Sequence, residues 1–296
     1  MTTRCGYVAI VGAPNAGKST LLNRLTGAKL SIVTPKAQTT RSRVLGIMMR
    51  GESQVLLVDT PGIFRPRRSL DRAMVAAAWA GTRDAELVLL LVDARARVTD
   101  ETRAIAGKLA ETDRRCWLVL NKIDLVAPPT LLSLAATLTE LARFDETFMI
   151  SAATGDGVDR LSAALAAAMP EGPYLYPDED LTDLPERLLA AEVVREQVFV
   201  QTQDEVPYAT TVETERWQER KDGSVRIDAT IYVLRSGQKA ILIGEHGARI
   251  KAIGARARAE LETVLERKVH LFLNVKQRSG WDEEAARLRA IGLKDE

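Results

Sequence analysis

Apolar residues in the first part of the chain come in short unbroken runs, at residues 7–11, 55–58, 87–92, 116–120 and 148–150. Runs of this kind suit strands buried on both faces of a parallel sheet. Between them lie helical repeats such as Thr20-Leu21-Leu22-Asn23-Arg24-Leu25. The alternation predicts an α/β, doubly wound, mostly parallel sheet over residues 1–169. The pattern then breaks. Residues 170–185 hold Pro170, Pro173, Pro177 and Pro185 with Glu171, Asp178, Glu179, Asp180 and Asp183, and no Lys or Arg. This predicts an acidic, Pro-rich, semi-rigid linker. Asp183-Leu184-Pro185-Glu186 reads as an N-cap with an early proline and a capping-box glutamate. Leu188, Leu189, Val193, Val194 and Val198 then recur on one helical face. Residues 207–220 and 225–234 alternate as strands around the turn Lys221-Asp222-Gly223-Ser224. Residues 236–243 and 248–264 are helical on either side of Gly244-Glu245-His246-Gly247, and 269–275 form a last strand. An amphipathic tail follows, with Trp281, Leu288 and Ile291 as apolar contacts. Residues 186–296 thus form a second, α+β domain.

Composition excludes more than it assigns. A chain of 296 residues with net charge +1 has ample core and no global bias toward an acidic or basic partner. Cys5 and Cys116 both fall on predicted buried strands and read as small core residues in a reducing compartment. With His246 and His270 the only histidines, no zinc cluster can be assembled. The longest apolar run, residues 87–92, is far too short to cross a bilayer. The N-terminus enters the first strand almost at once, so no signal peptide is expected and the location is cytoplasmic.

The chemistry sits at the strand ends. Gly12-Ala13-Pro14-Asn15-Ala16-Gly17-Lys18-Ser19 follows the first strand and opens a helix. This is a P-loop: backbone N–H groups curl around phosphates, Lys18 reaches the β- and γ-phosphates, and the Ser19 hydroxyl binds Mg²⁺. Asp59-Thr60-Pro61-Gly62 ends the strand at 55–58; Asp59 fits a Walker B aspartate and the Gly62 N–H faces the γ-phosphate. Between them, Gln38-Thr39-Thr40-Arg41 offers a threonine to complete the Mg²⁺ shell, and Thr40 is the expected one. Asn121-Lys122-Ile123-Asp124 ends another strand. The Asp124 carboxylate can accept from guanine N1–H and its 2-amino group, a donor pair adenine lacks. Asn121 is expected on the base's other edge, the Lys122 stem over its face, and the Ala152 N–H of Ser151-Ala152 on guanine O6. The ligands expected are GTP or GDP with Mg²⁺, and the catalytic set is Lys18, Thr40, Gly62 and Asn15.

In the second domain, Gly244-Glu245-His246-Gly247 joins two helices in the order helix–strand–strand–helix–GxxG–helix–strand, which is that of a type II KH domain. Such a turn presents backbone N–H groups and a helix N-terminus to single-stranded RNA. Arg235, Lys239, Arg249, Lys251, Arg256 and Arg258 surround it, against Glu245 alone. Lys239, Arg249, Lys251 and the four loop residues are the expected RNA contacts. Residues 29–50 form a second basic stretch, with Lys29, Lys36, Arg41, Arg43 and Arg50 and no acid, expected to touch RNA or the linker.

The ordered boxes are similar to those of the GTPases, and Gly12-x-Pro14-Asn15 with Thr39-Thr40-Arg41 narrows the similarity to the Era, Der and MnmE group. One departure matters. Ile63 follows Pro61-Gly62 where Ras-like enzymes carry a water-orienting glutamine, so slow intrinsic hydrolysis is expected. The GTPase boxes joined to a KH domain, with Val275-Lys276-Gln277-Arg278-Ser279-Gly280-Trp281 near the end, resemble the bacterial Era family over essentially the full length. The resemblance implies a monomeric factor that binds the 3′ end of 16S rRNA and the small (30S) ribosomal subunit during its maturation. It also implies a K⁺ ion held with the help of Asn15, and the amphipathic tail admits weak peripheral membrane association. The alternative is an RNA-binding scaffold in which GTP is mainly a structural ligand.

Overall fold

The computed structural model describes residues 2–36, 39–66, 68–284 and 293. Two bodies are distinct, one of residues 2–31 and 40–183, the other of residues 32–39 and 184–291 within those limits.

The first body runs β1 (Arg4–Val11), α1 (Lys18–Thr26), β2 (Val44–Arg50), β3 (Ser53–Asp59), α2 (Ser69–Ala80), β4 (Leu87–Asp93), α3 (Asp100–Ala110), β5 (Cys116–Asn121), α4 (Pro128–Leu141), β6 (Glu146–Met149) and α5 (Val158–Ala168). Its sheet has the order β2-β3-β1-β4-β5-β6. Strands β3, β1, β4, β5 and β6 pair in parallel, and β2 pairs antiparallel with β3. Successive side chains on a strand point to opposite faces. Val8 and Ile10 of β1 accordingly pack with Leu21 and Leu22 of α1 and Leu161 and Leu165 of α5. Ala9 and Val11 pack with Ala78 of α2, Ile105 of α3 and Leu138 of α4 on the other face. Both faces are covered, which is why these strands read as unbroken apolar runs. The chain switches direction across the sheet at β1, so the C-terminal ends of β1, β3 and β4 flank one crevice.

Residues 170–182, expected as a linker, instead run along this body. Gln54 Oε1 accepts from the Leu175 and Tyr176 N–H groups at 2.9 and 3.1 Å, and Gln54 Nε2 donates to Tyr176 O at 2.8 Å. Further on, Ile47 N–H donates to Leu181 O at 2.8 Å and Thr182 Oγ1 to Leu45 O at 2.6 Å. The reason is the edge: β2 has β3 on one side only, and an unpaired strand edge needs a partner or a cover. Prolines suit this strap because it donates few ladder bonds.

The second body runs α6 (Glu186–Gln201), β7 (Thr210–Glu219), β8 (Val225–Val233), α7 (Ser236–Ile243), α8 (Ala248–Val264) and β9 (Val269–Gln277). Its sheet has the order β7-β8-β9, antiparallel then parallel. Ile253, Ala257 and Leu261, one helical turn apart on α8, pack with Val193 and Val194 of α6 and Ile227, Ala229 and Ile231 of β8. Trp281 is buried here and its indole N–H donates to Ala209 O at 3.2 Å. Leu288 and Ile291 lie outside the described residues. The expected cap at Asp183 is not formed. Pro185, extended at φ −58° and ψ 137°, takes the N-cap position with no side-chain cap bond, which leaves Asp183 two residues upstream.

Residues 32–36 and 39 belong to this second body. Val33 N–H donates to Glu196 Oε1 at 2.9 Å, Lys36 Nζ donates to the carbonyls of Phe199 and Thr202, and Arg195 donates to Thr39 O. Helix carbonyls at a C-terminus attract a cation, so Lys36 acts as a cap for α6. In the first body, Arg41 is buried and Arg50 pairs with Asp159 at 2.8 Å. The basic stretch 29–50 is therefore not the exposed cationic surface its composition suggests. Most of its charges have intramolecular uses.

Candidate functional site

The P-loop is a tight turn, with the Ala16 N–H donating to Ala13 O at 3.3 Å. Gly17 has φ +97°, and a Cβ there would collide with Asn121 Nδ2, so only glycine fits. Asn15 also adopts a left-handed conformation, at φ 62°, which asparagine tolerates. Lys18 arches back over the loop, donating from Nζ to Gly12 O at 3.1 Å and Ala13 O at 3.0 Å. Burial pulls the Lys18 pKa down to about 8, with the Asp59 carboxylate opposing. Pro14 lies against Gly62, where a Cβ would stand 3.0 Å from Pro14 Cα.

Three hydroxyls converge on Asp59. Its Oδ2 accepts from Ser19 Oγ at 2.7 Å, from Ser31 Oγ at 2.9 Å and from Thr40 Oγ1 at 3.4 Å, and Ser19 Oγ and Thr40 Oγ1 are 2.8 Å apart. Asp59 is fully buried and its Oδ1 has no hydrogen-bond partner, an arrangement normally costly unless a cation completes it. Burial pushes its pKa up, against Lys18 and the three hydroxyl donors. A set of carboxylate and hydroxyl oxygens around one orphaned oxygen suits a hard cation such as Mg²⁺. Of the two adjacent threonines, Thr40 is the one in this cluster. The Thr39 hydroxyl lies 2.9 Å from Thr34 Oγ1 and donates to Lys36 O at 2.9 Å. Gln38 lies outside the described residues.

The residues after Asp59 split in direction. Thr60 Oγ1 donates to Ile10 O at 2.8 Å, and the Ile63 N–H donates to Gly12 O at 3.1 Å. The Ile63 side chain is 7% exposed and packs with Ala9, Val11 and Ala78. It therefore presents neither a polar group nor an apolar tip to the crevice.

At the base end, Asn121 acts as a clip. Its Nδ2 donates to Ala16 O at 2.8 Å and its Oδ1 accepts from the Ala152 N–H at 2.9 Å. The Asn121 amide thus joins the P-loop to the 151–153 loop. Ser151, fully buried, is a loop staple: its Oγ accepts from Thr154 N–H at 3.2 Å and its N–H donates to Asp156 O at 2.9 Å. Lys122, at φ 65°, donates from Nζ to Asn15 O at 2.7 Å and to Asp93 Oδ2 at 2.6 Å, which lays its stem along the site. Asp124 is exposed in the following turn.

Four supporting residues had no signal in the sequence. Asp93, at the end of β4, anchors Lys122. Arg24 of α1 donates to the carbonyls of Ala152 and Ala153 and ties the phosphate helix to the base loop. Ser31 donates to Asp59, and Asn23 of α1 hydrogen-bonds the backbone of residues 30 and 31. Each is an ordinary polar residue in a helix or loop, and only the fold brings it to the crevice.

In the second body, Gly244 at φ 72° ends α7, and a Cβ there would stand 2.8 Å from Arg249 Cβ. Glu245, His246 and Gly247 make one tight turn, with His246 at φ 50°, before α8 begins. Glu245, His246, Arg249 and Lys251 are exposed, and Lys239 is half-buried. The first turn of α8 carries no acidic residue, so its positive dipole end and two cations face solvent together. Among the described residues, no group of three His, Cys, Asp or Glu could hold a metal ion.

Comparison with known proteins agrees with this geometry in both bodies. Residues 7–122 match the model of the 50S ribosome-binding GTPases and residues 205–282 that of the KH domain. GTPase Era of Brucella suis is 53% identical over 291 residues, covering 98% of this chain and 94% of the relative. GTPase Era of Afipia carboxidovorans is 54% identical over the same length and coverage. An Aquifex aeolicus Era variant bound to GDP·AlF4⁻ superposes with a TM-score of 0.94 at 38% identity, over 99% of this chain and all of that one. An Era complex with MgGDPNP and nucleotides 1506–1542 of 16S ribosomal RNA matches equally well, with a TM-score of 0.94 at 38% identity and the same coverage.

Proposed function

The chain belongs to the Era family of GTPases, and on that premise we propose that it is a GTP-controlled factor of small-subunit maturation that binds the 3′ end of 16S rRNA. The observation that carries this reading is one chain holding both a guanine-nucleotide crevice and a cationic GxxG turn.

In the first body, P-loop N–H groups and the N-terminus of α1 hold the phosphate chain, and Lys18 leaves the carbonyls of Gly12 and Ala13 for the β- and γ-phosphate oxygens. Ser19, Thr40 and Asp59 would hold Mg²⁺, which would supply neutralisation of the charge on those oxygens. Asp124 selects guanine. Asn121, Arg24 and Lys122 keep the phosphate and base loops in register, so the nucleotide is bound at both ends by one preorganised frame. The Gly62 N–H and Thr40 respond to the γ-phosphate. With Ile63 turned into the core, no side chain at that position orients water, so intrinsic hydrolysis is slow and relies on backbone groups, a cation near Asn15 or a partner.

In the second body, backbone N–H groups of residues 244–247 clamp the RNA backbone, and Arg249, Lys251 and Lys239 neutralise phosphates. His246 is free to stack on a base. A role in small-subunit maturation fits the cytoplasm. Among the described residues no helix is long and apolar enough to cross a membrane.

The test is GTP turnover by the full chain with and without RNA spanning the 3′ end of 16S rRNA. Slow turnover that this RNA accelerates supports the proposal. Turnover indifferent to it would leave two unconnected modules.

A further inference from the structure

Asp59 receives a hydroxyl that no P-loop or switch motif accounts for. Ser31 lies at the end of the segment leaving α1, is 3% exposed, and donates to Asp59 Oδ2 at 2.9 Å. Its placement is not left to the loop. Asn23 of α1 accepts at Oδ1 from the Leu30 N–H at 3.0 Å and the Ser31 N–H at 2.9 Å, and donates from Nδ2 to Ser31 O at 2.7 Å. One side-chain amide thus closes three hydrogen bonds on residues 30 and 31 and fixes the hydroxyl against the carboxylate.

We propose that Ser31, locked by Asn23, is a positioning residue for the Mg²⁺ site, holding Asp59 oriented independently of the nucleotide's γ-phosphate. The chemistry of the cluster separates its three hydroxyls. Ser19 and Thr40 would hold the metal through oxygen lone pairs, so their contacts to Asp59 Oδ2 are tied to the metal's presence. Ser31 is anchored on α1 and stays. It keeps one lone pair of Oδ2 occupied, while Oδ1 is buried and without a hydrogen-bond partner. In the GDP state, where Thr40 has no γ-phosphate to hold it, Ser31 is the donor to Asp59 that depends on neither metal nor phosphate. The device therefore serves Mg²⁺ retention with GDP most of all.

The inference rests on the reading of Ser19, Thr40 and Asp59 as the Mg²⁺ site. The experiment measures release of a fluorescent GDP from the full chain across Mg²⁺ concentrations, with EDTA as the zero point. Ser31→Ala should raise the Mg²⁺ needed for half-maximal retention about tenfold while leaving release in EDTA unchanged, as expected for losing one hydrogen bond to a charged group. Ser31→Thr should restore the wild-type midpoint. Asn23→Ala should shift the midpoint the same way, and the double variant should shift it no further, because both act through one contact. Should Ser31→Ala fail to fold, Ser31→Cys keeps the volume with a weak donor and should show the same shift. An unchanged midpoint overturns the proposal. So does release accelerated equally in EDTA and in Mg²⁺, which would make Ser31 part of loop packing alone. Wild-type release that ignores Mg²⁺ would instead overturn the reading of the metal site itself.

Discussion

Lys18 concentrates the energetics of the crevice in one side chain. It is buried, it sits beside the buried Asp59, and its pKa falls to about 8, so its ammonium is held in a place that only an anion makes comfortable. Replacing it with alanine removes a charge-assisted contact to two phosphates, and GDP affinity should fall by about a hundredfold or more by fluorescence titration. Retained affinity would remove the P-loop assignment. The two cysteines make the opposite case. Burial pushes the Cys116 thiol from 9.0 up to about 11, and Cys5 moves the same way. A thiol raised on folding contributes stability that is full below the unfolded value and is lost as pH climbs through the folded one. Cys116 should therefore favour the folded state below pH 9.0 and lose that contribution as pH rises through about 11. A thiol reagent at pH 8 should react with neither cysteine until denaturant unfolds the chain; prompt labelling would contradict their burial. At this scale the motif residues were legible because phosphate, metal and guanine each demand a residue type at a fixed spacing. Ser31, Asn23, Arg24 and Asp93 were not, because a hydroxyl, an amide or a charge gains meaning only from what the fold sets opposite it.

Elements behaved according to how much of their pattern came from burial. Helices α7 and α8 fall at residues 236–243 and 248–264, where hydrophobic repeat and glycine turn agree. Strand β2 was missed, since Val44-Leu45-Gly46-Ile47-Met48-Met49-Arg50 lies in a stretch whose basic charges suggested an exposed loop. The strap at 170–182 was misread for a related reason: its prolines and acids describe a chain that avoids regular structure, and they say nothing of a strand edge needing cover. Gln54 is the pin of that strap, fully buried and hydrogen-bonded three times to its backbone. Gln54→Ala should destabilise the first body by about 1 to 3 kcal/mol, since it removes three part-buried hydrogen bonds to the strap. Denaturant unfolding measures this, and hydrogen exchange at residues 175 and 176 should rise with it. Native-like protection there would mean the strap is held elsewhere.

For the whole molecule, the formal balance of charge conceals its use. A net charge of +1 spread evenly would bind no polyanion, but Arg249 and Lys251 stand exposed at the start of α8 with no acid in that turn. Reversing both to glutamate should weaken RNA binding and flatten its salt dependence by about 0.7 in log–log slope for each phosphate contact removed. An unchanged slope would place the RNA on another face. The central claim is that one chain uses guanine nucleotide to control RNA binding. The most direct measurement is the affinity of the full chain for a short single-stranded RNA carrying the 3′ end of 16S rRNA, with GDP and then with a non-hydrolysable GTP analogue. The account predicts tighter binding with the analogue. Equal affinity in the two states would contradict it, and would leave GTP as a structural ligand beside an independent RNA-binding module.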